Sequence, residues 1–374
     1  MPKRPPSPAP AKAPSIDMLA MRATAAGTAR FRQRFQGRFV ADYFRDAGDL
    51  SASSLGIGTY LGESTDADDA AYQTSIRRAV GSGINLIDTA INYRRQRSEL
   101  TVGAAIQQIL AEGEAARDEL LVCSKGGYIP LDRTAPATRE EYQAYVRREF
   151  IDSEILRPDE IAAGGHSLAP RFLRYCLAKS RQNLGLRCID IYYVHNPGQL
   201  LGTVSRREGR VRLKAAFAVL EEAASRGEIG AYGCATWDEL RVAPDVRGHL
   251  ELEEAVGVAQ ELAGDSHHFR ALQLPINLGM LEAVRLQTQT VGGAPRTALE
   301  AADELGLTVI ASASLLQSRL TQGLPVELQS HFPEMRTDAQ RALSFVRTLP
   351  GVTAALVGMK QIVHLDENIE AASK

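Results

Sequence analysis

The chain has 374 residues, 44% of them hydrophobic and 24% charged, which excludes a disordered or fibrous protein and leaves one large domain or two ordinary ones. Its 43 basic and 45 acidic residues leave a formal charge of −2, so no global field recruits nucleic acid or anionic lipid. No apolar run approaches the roughly eighteen residues of a membrane span, so no membrane insertion is expected. Residues 1–50 hold nine Lys/Arg against four Asp. The opening stretch, MPKRPPSPAPAKAP, is Pro/Ala-rich and suits a flexible tail over 1–20. Phenylalanines at 31, 35, 39 and 44 predict a packed cap over 21–54. Four cysteines (Cys123, Cys176, Cys188, Cys234) form no CxxC pair, which points to reduced, packed thiols in a cytoplasmic compartment.

From residue 55 one unit recurs: a helical pattern, a glycine, then a short apolar strand. Residues 69–82 put Tyr72, Ile76, Ala79 and Val80 on one face, Gly83 ends the helix, and the strand of Ile84 to Ile87 runs to Asp88. The pattern returns at 171–184 with Gly185 and the strand Ile189–Val194, at 212–226 with Gly227 and Ala231–Cys234, and at 296–305 with Gly306 and Leu307–Ile310. Glycine suits these positions because it accepts the left-handed backbone of a helix end. Adding Leu55–Tyr60, Leu120–Ser124, Ala271–Ile276 and Ala354–Val357 gives eight strands, most separated by helices. Such alternation implies parallel pairing and predicts an α/β fold, a (β/α)8 TIM barrel over 21–374. An open doubly wound sheet is the alternative, but no GxGxxG follows the first strand.

One connection is anomalous. About forty residues, 128–168, separate the third strand from the helix before the fourth. They leave the C-terminal end of a strand, so they are expected on the active face as a lid shaping the pocket, with a helix over 139–150 (REEYQAYVRREF) and Tyr128 at its opening.

Polar residues collect at the strand ends. Asp88 ends the second strand, Tyr93 follows in DTAINY, Lys125 ends LLVCSK, and His195 ends IYYVH. Singly, each has a plain structural explanation; together, on one face, they describe proton chemistry. A phenol with an ordinary pKa of about 10 is a poor acid at neutrality unless a neighbouring ammonium favours its anion. A carboxylate keeps that ammonium charged, and a neutral imidazole can donate to an oxygen gaining negative charge. This set suits protonation of a carbonyl oxygen while hydride adds to its carbon. No HExxH or Cys/His spacing offers a metal site.

These residues carry a resemblance. The chain resembles the aldo-keto reductases, nicotinamide-dependent (β/α)8 barrels that reduce aldehydes and ketones, over about 51–372. The motifs run in order: SSLGIGTYLG, GINLIDTAINY, LLVCSK, SRQNLGL with IDIYYVH, ASRGEIGAYG, LQLPINL, VIASASLL and VGMKQIVHLDENI. The resemblance implies that Tyr93 is the general acid, Lys125 lowers its pKa, Asp88 pairs with Lys125, and His195 orients the carbonyl. It implies cofactor contacts from Gly58, Thr59, Tyr60 and Leu315, from Gln273 at the carboxamide, and from Glu367 and Asn368 at the adenine end.

Three departures bear on the cofactor. Ala235-Thr236 stands where the family usually has Ser-Asn, Ser312 where an aromatic commonly stacks, and His364 where a basic residue is usual. Lys360 is then the clearest cation for a 2′-phosphate, so NADPH is favoured, with NADH possible. Trp237 follows the fifth strand at the pocket or in ordinary packing. His166, His249, His267, His268 and His331 fall in apparent loops and read as surface residues. The expected partner is a small-molecule carbonyl substrate; substrate identity and oligomeric state are not legible. Alternatives on the same resemblance are a nicotinamide-binding regulatory or channel-associated barrel subunit, and a lyase or isomerase.

Overall fold

The computed structural model describes residues 22–373 apart from 133 and 135, so the expected tail over 1–20 lies outside the described residues. A helix, α1 (Ala25–Arg34), and an antiparallel hairpin, β1 (Phe44–Ala47) and β2 (Leu50–Ser53), precede the barrel. Eight parallel strands then close on themselves: β3 (Leu55–Gly58), β4 (Leu86–Asp88), β5 (Leu121–Gly126), β6 (Ile189–His195), β7 (Ile229–Ala235) and β8 (Phe269–Pro275). After a small side hairpin of β9 (Gln289–Val291) and β10 (Ala294–Arg296), β11 (Thr308–Ser312) and β12 (Val352–Gly358) complete the circle back to β3. The predicted (β/α)8 barrel is the observed fold.

Local sequence accounts for the helix ends. Thr65 caps α2 (Asp66–Gly81) by accepting from the Asp68 amide, and three aspartates in its first turn complement the helix dipole. α5 (Pro170–Leu184, after α3 at Arg97–Ala111 and α4 at Arg139–Val146) starts with proline and ends at Gly185, whose φ of 65° is the left-handed cap glycine allows.

Two apolar layers hold the barrel. Between strands and helices lies the larger, with Ile57, Ile87, Val122, Tyr192 and Val194 packed on helix residues such as Ile76, Ile106 and Leu177. Inside the barrel, Leu86, Leu121, Cys123, Ile191, Tyr193, Ala271, Ile310 and Leu356 fill the centre, and Ala23, Leu50 and Ala52 of the cap join them from below. The cap is therefore a floor plug. It is tied down by polar contacts: Asp190 at the start of β6 accepts from the Ala23 amide at 2.6 Å and from Arg117 Nη2 at 2.7 Å, and Asn85 accepts from the Ser53 amide at 2.8 Å. Phe31 and Phe44 are buried within this aromatic cap. All four cysteines are free and buried.

The insertion leaves β5 and returns to α5. It contains α4 followed by a wider helical turn at Arg147–Ile151, so the expected helix over 139–150 is present. Its body is not a lid over the mouth. Ile129, Tyr145, Phe150 and Leu156 pack sideways onto Ile91, Phe172 and Cys176, and among the described residues of the insertion only Tyr128 lines the cavity. The reason is amphipathic: this segment carries its own apolar face, which finds α5.

Candidate active site

Parallel pairing sets the strand ends level. Asp88 pairs with Cys123 across β4 and β5, Lys125 with Tyr193 across β5 and β6, and His195 with Ala235 across β6 and β7. Asp88, Lys125 and His195 thus reach the C-terminal mouth, and the turn after β4 brings Tyr93 to them. Lys125 is fully buried; its Nζ donates to Asp88 Oδ1 at 2.6 Å and to the Thr89 carbonyl at 2.9 Å. The same ammonium lies 4.9 Å from the centre of the Tyr93 ring, and the Tyr93 and His195 rings meet edge-on with centroids 5.9 Å apart.

The electrostatics follow from burial and neighbours. Burial pushes the Tyr93 phenol above its ordinary pKa, while the charge and hydrogen bond of Lys125 pull it back only in part. Lys125 thus acts in the expected direction on the phenol, against a larger opposing effect of burial. Burial opposes the Lys125 charge, but Asp88 and Tyr93 more than offset it, so the ammonium persists through the neutral range. His195 is held well below its ordinary pKa by burial, then by Lys125 and His166, which leaves a neutral imidazole.

Asp88, Tyr93 and His195 line a cavity of ≈ 400 Å³, with Asn92, Tyr128, Asn196 and Trp237; Lys125 is buried behind its wall. Gly58, Gln273, Ser312–Leu315, Gln317, Ser318 and Val357–Gly358 complete its lining. Trp237 and Tyr60 stand at the rim, 41% and 56% exposed, so the reading of Trp237 as ordinary packing is displaced.

Of the expected cofactor residues, Gly58, Tyr60, Gln273 and Leu315 line this cavity. Thr59 is fully buried and donates to the Asp88 carbonyl at 3.1 Å, so it shapes the strand end. Gln273 has a partner the sequence did not announce: its Nε2 donates to Asp88 Oδ2 at 2.8 Å, leaving its oxygen for a ligand amide. The helix Ile362–Glu370 keeps His364, Glu367 and Asn368 outside the cavity lining; His364 is exposed and Asn368 is buried. Lys360 is not a free cation. Its Nζ lies 2.8 Å from both oxygens of Asp68, which holds that carboxyl below its usual range. Replacing Asp68 by Asn should release Lys360 and raise selectivity for NADPH over NADH by roughly fivefold, the factor about 1 kcal/mol of recovered ion pairing gives. Dissociation constants for both cofactors check this; an unchanged ratio would remove Lys360 as a phosphate reader.

The histidine reading needs correction as well. Of the five expected at the surface, only His331 is exposed. His166 is buried because its loop turns inward to satisfy a buried carbonyl, and His267 is buried with its Nε2 3.3 Å from the Arg270 guanidinium. The His166 Nε2–H donates to the His195 carbonyl at 2.7 Å, and burial lowers its pKa to about 4, so it stays neutral.

Sequence reasoning also missed the turn after Tyr93. Arg94, Arg95 and Gln96 take φ of 48°, 57° and 67°, a left-handed run costing about 1–2 kcal/mol per residue. The signal lay in the side chains: three long polar residues directly after a site residue, two of them buried. Arg94 donates to the Glu63 carbonyl at 2.9 Å and to Asp69 at 2.6 Å, and stacks 5.3 Å above Tyr72.

The aldo/keto reductase family model matches residues 54–256. An NADH-specific methylglyoxal reductase of Escherichia coli (strain K12) is 28% identical over 55% of this chain and 54% of its own length. A D-threo-aldose 1-dehydrogenase of Pseudomonas sp is 27% identical over 44% of each chain, so this chain spans about half the length of the curated relatives it matches. An aldo/keto reductase from Klebsiella pneumoniae, solved with NADP and acetate, superposes with a TM-score of 0.57 over 89% of this chain and 90% of its own, at 19% identity, a likeness of fold. With its family match covering more than half of the sequence, the chain belongs to the aldo/keto reductase family.

Proposed function

We propose that the chain is a carbonyl reductase that uses NADPH, and NADH in its place, to convert an aldehyde or ketone to the alcohol. The observation that carries this reading is the Asp88–Lys125–Tyr93 chain ending beside a neutral His195 at one cavity. The cavity fits a dinucleotide's reactive end. Gln273 offers an amide oxygen, and Ala313, Leu316, Gln317 and Ser318 have φ of 51°, 46°, 52° and 70°. They curve the loop after β11 round the cavity, which Ala313, Gln317 and Ser318 line. A bound reduced nicotinamide supplies the hydride.

The protein's own residues manage the proton. A substrate oxygen between Tyr93 and His195 accepts hydrogen bonds from the phenol and from an imidazole N–H. As the carbon gains hydride, the C=O double bond becomes a single bond and the phenol proton moves to the oxygen, leaving tyrosinate beside Lys125. The ammonium stabilises that anion, and Asp88 keeps the ammonium in place. Solvent returns the proton through the mouth. In the reverse direction the tyrosinate is the base.

The pH dependence follows from the shifts. Tyr93 is raised above 10 and carries its proton below that, so reduction should be flat through neutrality and decline only above about pH 10. Alcohol oxidation, which needs the phenolate, should rise over the same range. His195, held low, should add no break near 6.5. A screen of aldehydes, ketones and dicarbonyls for oxidation of added NADPH or NADH tests the function. The absence of carbonyl-dependent oxidation with both cofactors would overturn it.

A further inference from the structure

The described residues of the insertion approach the site from two sides. On one side is the left-handed turn after Tyr93. Gln96, at its end, is buried; its Nε2 donates to the Leu131 carbonyl and to Asp132 Oδ1, both at 3.1 Å, and its Oε1 accepts from Asn183 at 3.2 Å. Leu131 and Asp132 belong to the insertion. A non-glycine residue at φ of 67° does not rest there unaided, so the insertion supplies acceptors that hold the turn.

On the other side is His195. The insertion's base is closed by backbone bonds from Ile129 to Gly165 at 2.8 Å and from Ser167 to Gly127 at 2.7 Å. Closure brings His166 under the His195 carbonyl, to which it donates, and sets Tyr128 edge-on to the His195 ring with centroids 5.0 Å apart. The Tyr128 hydroxyl accepts from Asn196, itself at φ of 44°. Gly127 makes this approach feasible: an added Cβ would lie 3.0 Å from the His195 oxygen and 3.1 Å from His166 Nε2, at φ of 145°.

We propose that the 128–168 insertion is a brace: through Gln96 and His166, two positioning residues, it holds Tyr93 and His195 in reach of one substrate oxygen. This rests on the proton-handling roles given above to Tyr93 and His195. Both residues grip backbone or turn rather than ligand, so their effect reaches kcat through geometry. Misplacement by about 1 Å can cost a factor of 10² in rate.

The test is Gln96→Ala against Gln96→Gly. Alanine removes the grip and keeps the unfavourable backbone; glycine removes the grip but adopts the left-handed conformation freely. Gln96→Ala should lower kcat by roughly ten- to a hundredfold with little change in KM, and Gln96→Gly should recover most of that loss. Cofactor binding, read from quenching of the single tryptophan, Trp237 at the rim, should be unaffected in both. A parallel pair, His166→Phe and His166→Gln, should show the same loss and recovery, since glutamine restores an N–H donor; it decides the matter should Gln96→Ala not fold. Wild-type kcat in Gln96→Ala and His166→Phe, or equal losses within each pair, would overturn the brace. Tyr93→Phe separates the premises: if that variant retains turnover the underlying reading fails, and if it is inactive while Gln96→Ala is fully active the brace alone fails.

Discussion

Tyr93→Phe should lower kcat by about 10²–10⁴-fold, the range general acid catalysis contributes, while leaving cofactor affinity near wild type. The phenyl ring keeps its edge contacts to Tyr60 and His195, at 5.0 and 5.9 Å between centroids, so the cavity wall survives and only the proton is lost. No nearby group replaces it well. Lys125 is already committed to Asp88 and the Thr89 carbonyl, and His195 is neutral with an N–H far less acidic than a phenol beside an ammonium. Steady-state kinetics with a responsive carbonyl, beside titration of Trp237 fluorescence with NADPH, measure both quantities. Undiminished turnover would move proton donation elsewhere.

The second large effect joins stability to chemistry. Lys125→Met removes the cation from a pair in which both side chains are buried and strands the Asp88 carboxylate with the Gln273 amide. Breaking a buried pair from one side typically costs about 3–5 kcal/mol, because the remaining charge has lost its counter-charge. Replacing both partners should be milder. The double variant Asp88→Asn/Lys125→Met should recover most of the stability while staying as inactive as the single, since neither supports the tyrosinate. Denaturant midpoints and kcat, measured side by side, check this. A double variant no more stable than Lys125→Met would show that the pair's charge balance is not what holds this part of the barrel together.

The barrel was legible because its rule is local and repeated. A periodic helix, a glycine able to take positive φ, and a short apolar strand recur, as at Gly185 and Gly227, and parallel alternation admits few closures. Asp88, Lys125 and His195 were legible for the same reason: each ends a strand, and pairing levels strand ends. Other residues depend on contacts between distant segments. Nothing near Lys360 in sequence reveals Asp68, 292 positions earlier, as its partner. His166 looked exposed because a loop's polarity does not say whether its base closes inward, and here backbone bonds to Gly127 and Ile129 close it. The lid expectation failed for a related reason. Position after a strand says which face a segment leaves from, whereas the apolar stripe of Tyr145, Phe150 and Leu156 decides where it settles.

The floor plug fixes a polarity for handling the molecule. Ala23 is bonded to Asp190 at the start of β6, while His195 ends that strand, so the described chain enters about 16 Å along the strand from the mouth, at the opposite pole. A copy tethered to a bead, a sensor chip or a fused neighbour through its amino-terminal side therefore presents its open pole outward.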